Sequence, residues 1–269
     1  MNRGDLTDAQ WAKLAPLLPP QRSGTAGRPP HNHRRMLNGM LWILRTGAPW
    51  RDLPRRYGRW SSVASRFYRW RRAGVIARVD EALKEQGDAA GQIEWEAHYV
   101  DGSVVRAHQH AAGAAHTTAE AEGLGRSRGG FSTKIHVRAE GGGKPVTFLV
   151  TPGQRHDSMA LEPLMEQGAI RRSDGGRPRL RPRRVVGDKG YSYRRVRRYL
   201  RRRGIGATIP TRKDQPRLRH FDRELYRTRN RVERLINRLK QFRRIATRYE
   251  KRVVNYLAML TLASILLWL

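Results

Sequence analysis

Cysteine is absent from the 269-residue chain. That excludes disulfides and thiolate-held zinc and suits a reducing compartment. Acids are scarce: 23 Asp and Glu stand against 55 Lys and Arg, a formal net charge of +32 spread along the chain. A field of that sign favours a polyanion, and nucleic acid is the commonest. A ribosomal or chromatin-type protein that only binds would also carry such charge, as would an arginine-rich codon usage. Only eight of the cations are Lys, so codon bias contributes, but it leaves the deficit of acids unexplained. No GxxxxGK run is present, so ATP is not implied. The opening MNRGDLTDAQ has no apolar run of a signal peptide. Residues 253–269 run 17 positions without a charge, short for a membrane span and interrupted by Asn255, Thr261 and Ser264. A buried terminal helix is expected there, with no membrane partner.

What is present begins with helices. In LTDAQWAKLAPLLPP, Thr7 precedes Gln10 at capping-box spacing, and Trp11, Leu14, Leu17 and Leu18 share a face before two prolines end the helix. After the GRPP break at residues 27–30, Met36, Leu37, Met40, Leu41 and Leu44 recur at helical spacing. A third helix, SSVASRFYRWRRAG, turns Val63, Phe67 and Trp70 inward and projects Arg66, Arg69, Arg71 and Arg72. A helix-turn-helix uses that pattern to enter a groove and grip phosphates; a helical bundle with a solvated basic face would give it too. EQGDAAGQ, residues 85–92, reads as a linker. The expected division is a helical DNA-binding domain over 1–85, a linker over 86–97 and a catalytic domain over 98–269.

From residue 98 the pattern changes. HYVDGSVVRAH, FSTKIHVRA and KPVTFLVTPG are short, β-branched and bounded by Gly, with AEGGG as a turn. A helix follows in SMALEPLMEQ, capped by Asp157 or Ser158, then the strand RRVVGDKG, the basic helix YRRVRRYLRRRG and the strand GATIPT. Three strands, helix, strand, helix, strand, helix is the order of an α/β, RNase H-like fold, a mixed five-stranded sheet flanked by helices. Residues 110–130 are small and Gly-rich and read as mobile.

Cutting DNA calls for in-line attack on phosphorus among negative oxygens, which two divalent metals can assist. Mg²⁺ takes oxygen ligands, usually one or two carboxylates. Asp101 lies inside an expected strand, where a charge is costly unless paired or metal-bound. Asp188 ends the strand RVVGDKG, adjacent to the first in this fold. Glu233 is the lone acid in YRTRNRVERLINRLKQF, residues 226–242. At about 100° per residue, Tyr226, Arg229, Glu233 and Lys240 form one stripe beside the apolar face of Val232, Leu235, Ile236, Leu239 and Phe242. An ordinary ion pair of Arg229 with Glu233, four residues apart, is the plainer account of one pair; it leaves Tyr226 and Lys240 unexplained. His108, His110 and His116 suggest loop or capping roles more than zinc. His156 and Asp157 in GQRHDS could approach a substrate, although a helix cap explains Asp157 equally well. GRSRGG, with Arg126 and Arg128, has the composition of a phosphate-gripping loop.

The spacing Tyr226, Arg229, Glu233, Lys240 resembles the YREK signature of DDE transposases of bacterial insertion sequences, in the group named after insertion sequence five. GAPWRDLP, VDGSVVRAHQHAAGA, LGRSRGGFSTKIH, GQRHDS, GDKGYSYRR and FRRIATRYEK extend the resemblance over residues 6–269. It implies Asp101, Asp188 and Glu233 as catalytic ligands of Mg²⁺, with Mn²⁺ as a substitute. It further implies DNA as partner, both terminal inverted repeats and target, a homodimer in the synaptic complex, and a cytoplasmic, nucleoid-associated bacterial protein. The expected DNA contacts are Tyr226, Arg229, Lys240, Arg66, Arg69, Arg72, Arg126, Arg128 and Lys189. Gly102 departs from the family, where Ser follows the first Asp. The other readings are a non-catalytic DNA-binding regulator or decayed transposase, and a structure-specific repair nuclease.

Overall fold

A computed structural model describes residues 4–20, 32–216 and 218–269. The β-branched run at the domain start forms β1 (Ala97–Ala107), and the next two form β3 (Gly130–Ala139) and β4 (Pro145–Pro152). β1 is antiparallel to β3, and β3 to β4. After α5 (Asp157–Glu166), β5 (Arg184–Val186) lies parallel to β1; after α6 (Arg194–Arg202), β6 (Gly206–Thr208) lies parallel to β5. The order across the sheet is therefore β4, β3, β1, β5, β6, an antiparallel meander continued by two parallel strands, which is the RNase H-like arrangement. All five expected strands are there. Two short ones join them: β2 (Gly125–Ser127) pairs with β3, and β7 (Thr247–Arg248) with β1. Two or three residues are too few to show a period, so neither was legible. β2 also gives the Gly-rich stretch before β3 a paired end.

Alternation along β1 divides the interior. Successive side chains point to opposite faces, so Tyr99 enters the core beneath the helical segment while Val100 joins Leu161, Leu164, Val196 and Leu200 under α5 and α6. On the Tyr99 side stand α2 (His33–Thr46), α3 (Trp60–Arg72), α4 (Val75–Ala89) and the terminal α10 (Val253–Trp268), which follows the one-turn α9 (Arg243–Ala246). The capping box at Thr7 and Gln10 starts α1 (Asp8–Leu14) as expected. The expected apolar faces are buried: Met36, Leu37, Met40, Leu41 and Leu44 on α2, and Val63, Phe67 and Trp70 on α3. The GRPP break lies outside the described residues. Between α2 and α3, residues 47–59 carry two 3-10 turns, Trp50–Asp52 and Arg55–Tyr57.

The linker is shorter than its composition suggested. EQGDAAGQ is polar and Gly-bearing, yet α4 runs through it to Ala89, with Leu83 and Gly87 buried. The reason lies at the other end of the chain. A Cβ on Gly87 would stand 2.9 Å from Cζ3 of Trp268, so the missing side chain lets α10 close against α4. The helical segment and the sheet consequently share one core. No described helix is long and apolar enough to cross a membrane.

Candidate active site

Pairing of β1 with β5 sets the first two acids side by side. Tyr99 stands opposite Val186, and two residues further along each strand the chain reaches Asp101 and Asp188. There β5 has ended. Asp188 caps a 3-10 turn (Lys189–Tyr191), its Oδ1 accepting from the Gly190 amide at 2.8 Å. The third acid arrives on a helix. The expected continuous helix is broken at Thr228 and Arg229 into α7 (Arg223–Arg227) and α8 (Asn230–Lys240), so its stripe is not one straight line. Thr228 is the fixing point: its Oγ1 donates to Leu225 O at 2.6 Å and lies 2.8 Å from the Tyr99 hydroxyl, which pins the break to β1.

Arg229 sits at that break and joins the acids. Its Nη1 lies 3.3 Å from Asp101 Oδ2, and its other amino group donates to Glu233 Oε1. The Tyr226 ring lies under the same guanidinium, 6.0 Å from Cζ to centroid. A local pair four residues apart would have supplied the Glu233 contact alone. The bond to a residue 128 positions away makes Arg229 part of an acidic site.

Asp101 is only 17% exposed in its side chain, and its pKa is pushed up to about 6. Burial is the main cause. The Gly102 amide and Arg229 pull it back, while the charges of Asp188 and Glu233 push it up, so the three acids feel one another. Tyr191 is wholly buried beside them, its hydroxyl without a partner among the described residues. Burial raises its pKa, followed by the charges of Asp157, Asp101 and Asp188.

Asp157 is the residue that sequence reasoning left undecided. The expected cap at Asp157 or Ser158 is instead His156, whose Nδ1 accepts from the Ser158 amide at 3.3 Å. An imidazole can cap as well as a carboxylate, and this leaves Asp157 free to turn toward the sheet. Its Oδ1 lies 3.3 Å from Lys134 Nζ and 3.6 Å from His136 Nδ1. Burial holds that imidazole down to about 4, so it is neutral. A Cβ on Gly102 would fall 2.3 Å from Asp157 Oδ1. The glycine that departs from the family pattern is thus the opening that admits a fourth carboxylate. The signal was in GQRHDS, but only the fold brings it against Gly102 and Gly190.

The remaining expected contacts are dispersed. Lys189 is exposed next to Asp188, and Lys240 is half-buried at the end of α8. Arg126 and Arg128 are exposed at the β2–β3 hairpin, and Arg69 and Arg72 are exposed on α3. Arg66 does not project as expected: its Nη1 lies 2.9 Å from His33 Nδ1 and its guanidinium stands over Trp70. Among the described residues no three His, Asp or Glu side chains stand close enough to hold one ion; the His108 and His110 rings lie tilted against each other, their centroids 4.5 Å apart. The three acids are all-oxygen donors of the kind a hard divalent cation takes, and two of them already share a cation in Arg229.

Residues 98–268 match the family model described as a transposase DDE domain. The chain belongs to the DDE transposases. Residues 6–79 also match the model of a putative transposase of the IS4/5 family, so this transposase carries the insertion-sequence type of N-terminal segment. An uncharacterized protein of Sinorhizobium fredii is 36% identical over 142 residues, 53% of this chain and 100% of its own length. The putative transposase of insertion sequence element IS402 from Burkholderia cepacia is 34% identical over 135 residues, 50% of this chain and 62% of its own. Among solved structures, the Mos1 strand transfer complex is similar at 11% identity and a TM-score of 0.28, covering 82% of each chain.

Proposed function

We propose that this insertion-sequence transposase binds the terminal inverted repeats of its element, cuts strands there, and joins the freed 3′-hydroxyl ends to target DNA. The observation that carries the reading is the single guanidinium shared by Asp101 and Glu233, with Asp188 close enough to raise the Asp101 pKa. Asp101, Asp188 and Glu233, which do not stand close enough here to share one ion, would have to draw together to hold Mg²⁺, or Mn²⁺ in its place, which when bound activates the attacking oxygen and offsets charge on the leaving one. Arg229 orients Asp101 and Glu233 and holds them together despite their repulsion. Lys240 and Lys189 lie on the elements that carry Glu233 and Asp188, where each can reach a phosphate. Lys134 anchors Asp157 beside them. Two ends must be processed together, so the partners are DNA and a second copy of this chain.

Affinity cleavage tests the ligand set without relying on turnover. Fe²⁺ substituted for Mg²⁺, with ascorbate and peroxide, cuts the polypeptide next to the bound ion. Cuts are expected near residues 101, 188 and 233; a pattern confined to other segments would refute the assignment.

A further inference from the structure

The connection from α2 to α3 encloses a feature that the strand-cutting site does not use. Residues 50–60, WRDLPRRYGRW, border an open cavity of about 820 Å³ whose lining includes Arg35, Arg51, Arg55, Arg59, Asp52 and Trp60. Its lining holds four arginines against one aspartate. Arg35 is committed to the fold, donating to Arg56 O at 2.7 Å and Arg55 O at 3.2 Å, and so holds the loop in shape. Among the described residues Arg55 and Arg59 pair with no carboxylate. Trp60 is 40% exposed, with the Arg51 guanidinium 5.7 Å from its ring centroid. It is also the first residue of α3, whose N-terminus has no side-chain cap, so the amides of the first turn add to the positive field.

Undistorted duplex DNA offers an exposed indole no free base face to stack on, because its bases are stacked on each other and present only edges and phosphates. A single strand offers what the cavity can use. Aromatic platforms set in a basic groove bind unpaired nucleotides by stacking the base and tracking the backbone. We propose that this cavity takes an unpaired nucleotide of the bound DNA, its base stacked on Trp60 and its phosphates held by Arg55, Arg59 and the first turn of α3. The proposal rests on the DNA-binding reading above and assigns the α2–α3 connection a task separate from duplex recognition by Arg69 and Arg72.

The test uses full-length protein and two fluorescein-labelled probes in anisotropy: a blunt 30-bp duplex of the element's end, and the same duplex with four unpaired thymidines added. Trp60→Ala should weaken the overhang probe about tenfold and leave the blunt probe within about twofold. Trp60→Phe should keep most of the preference because the ring remains. Arg55→Ala with Arg59→Ala should weaken the overhang probe most at low salt and make its affinity fall less steeply as salt rises. Circular dichroism and melting check that each variant is folded. If wild type binds the duplex but Trp60→Ala loses equal affinity for both probes, or for neither, this inference is overturned while the DNA-binding reading stands. If wild type binds neither probe, both fall.

Discussion

Replacing Asp101 by Asn should make the metal-free protein more stable at neutral pH. The native carboxyl holds its proton with a pKa of about 6 against an ordinary 3.8. Each unit corresponds to about 1.4 kcal/mol, so ionising Asp101 in the fold costs on the order of 3 kcal/mol. The sign follows from proton binding. Between about pH 4 and 6 the folded state holds more protons than the unfolded one, so the Asp101 contribution is most favourable below the unfolded pKa and is lost as pH rises through the folded one. Asn never ionises. In EDTA at pH 7.5, Asp101→Asn should therefore melt higher than wild type, by roughly 5–10 °C, while at pH 4 the advantage should vanish. The ion pair with Arg229 is lost in the variant, but it already opposes the rise and is included in it. Mg²⁺ should reverse the order by stabilising wild type alone. Calorimetry or circular-dichroism melts at both pH values decide the matter. A variant that melts below wild type in EDTA at pH 7.5 would show that Asp101 is held by contacts, not strained by burial and its acidic neighbours.

Two further outcomes follow from the same geometry. Gly102→Ala would drive a methyl group into Asp157, so it should cost about 1–3 kcal/mol in urea unfolding and slow strand cleavage with DNA binding unchanged; the stability cost should shrink in combination with Asp157→Ala, and additive costs would mean the two do not touch. The affinity for terminal DNA should fall steeply with salt, and Lys240→Ala should reduce the slope of log K against log salt by about one; an unchanged slope would remove Lys240 from the phosphate contacts.

Much of the fold was legible because its signals are local. β-branched runs bounded by Gly marked β1, β3 and β4, and the order of elements fixed which strands neighbour β1. Asp101 stood out for the same kind of reason, since a charge within a central strand needs a purpose. What stayed hidden depends on contacts between distant residues. The end of α4 looks like a linker until Trp268 closes on Gly87. The helix carrying Glu233 looks continuous until Tyr99 engages Thr228 at the break. Arg66 sits on the polar side of α3, and only its nearness to His33 turns it back to the protein. Asp157 passes for a cap because its value lies in facing Gly102 and Lys134, which no spacing in the sequence reveals.

The central claim is that Asp101, Asp188 and Glu233 together carry out strand cleavage at the element's ends. The most direct measurement is cleavage of labelled terminal DNA in Mg²⁺ by Asp101→Asn, Asp188→Asn and Glu233→Gln, with gel-shift binding of the same DNA measured in parallel. Each variant should lose cleavage while binding stays equal or tightens, because removing a carboxylate near phosphate relieves repulsion. Cleavage at the wild-type rate by any one of the three would remove that residue from the site and contradict the account.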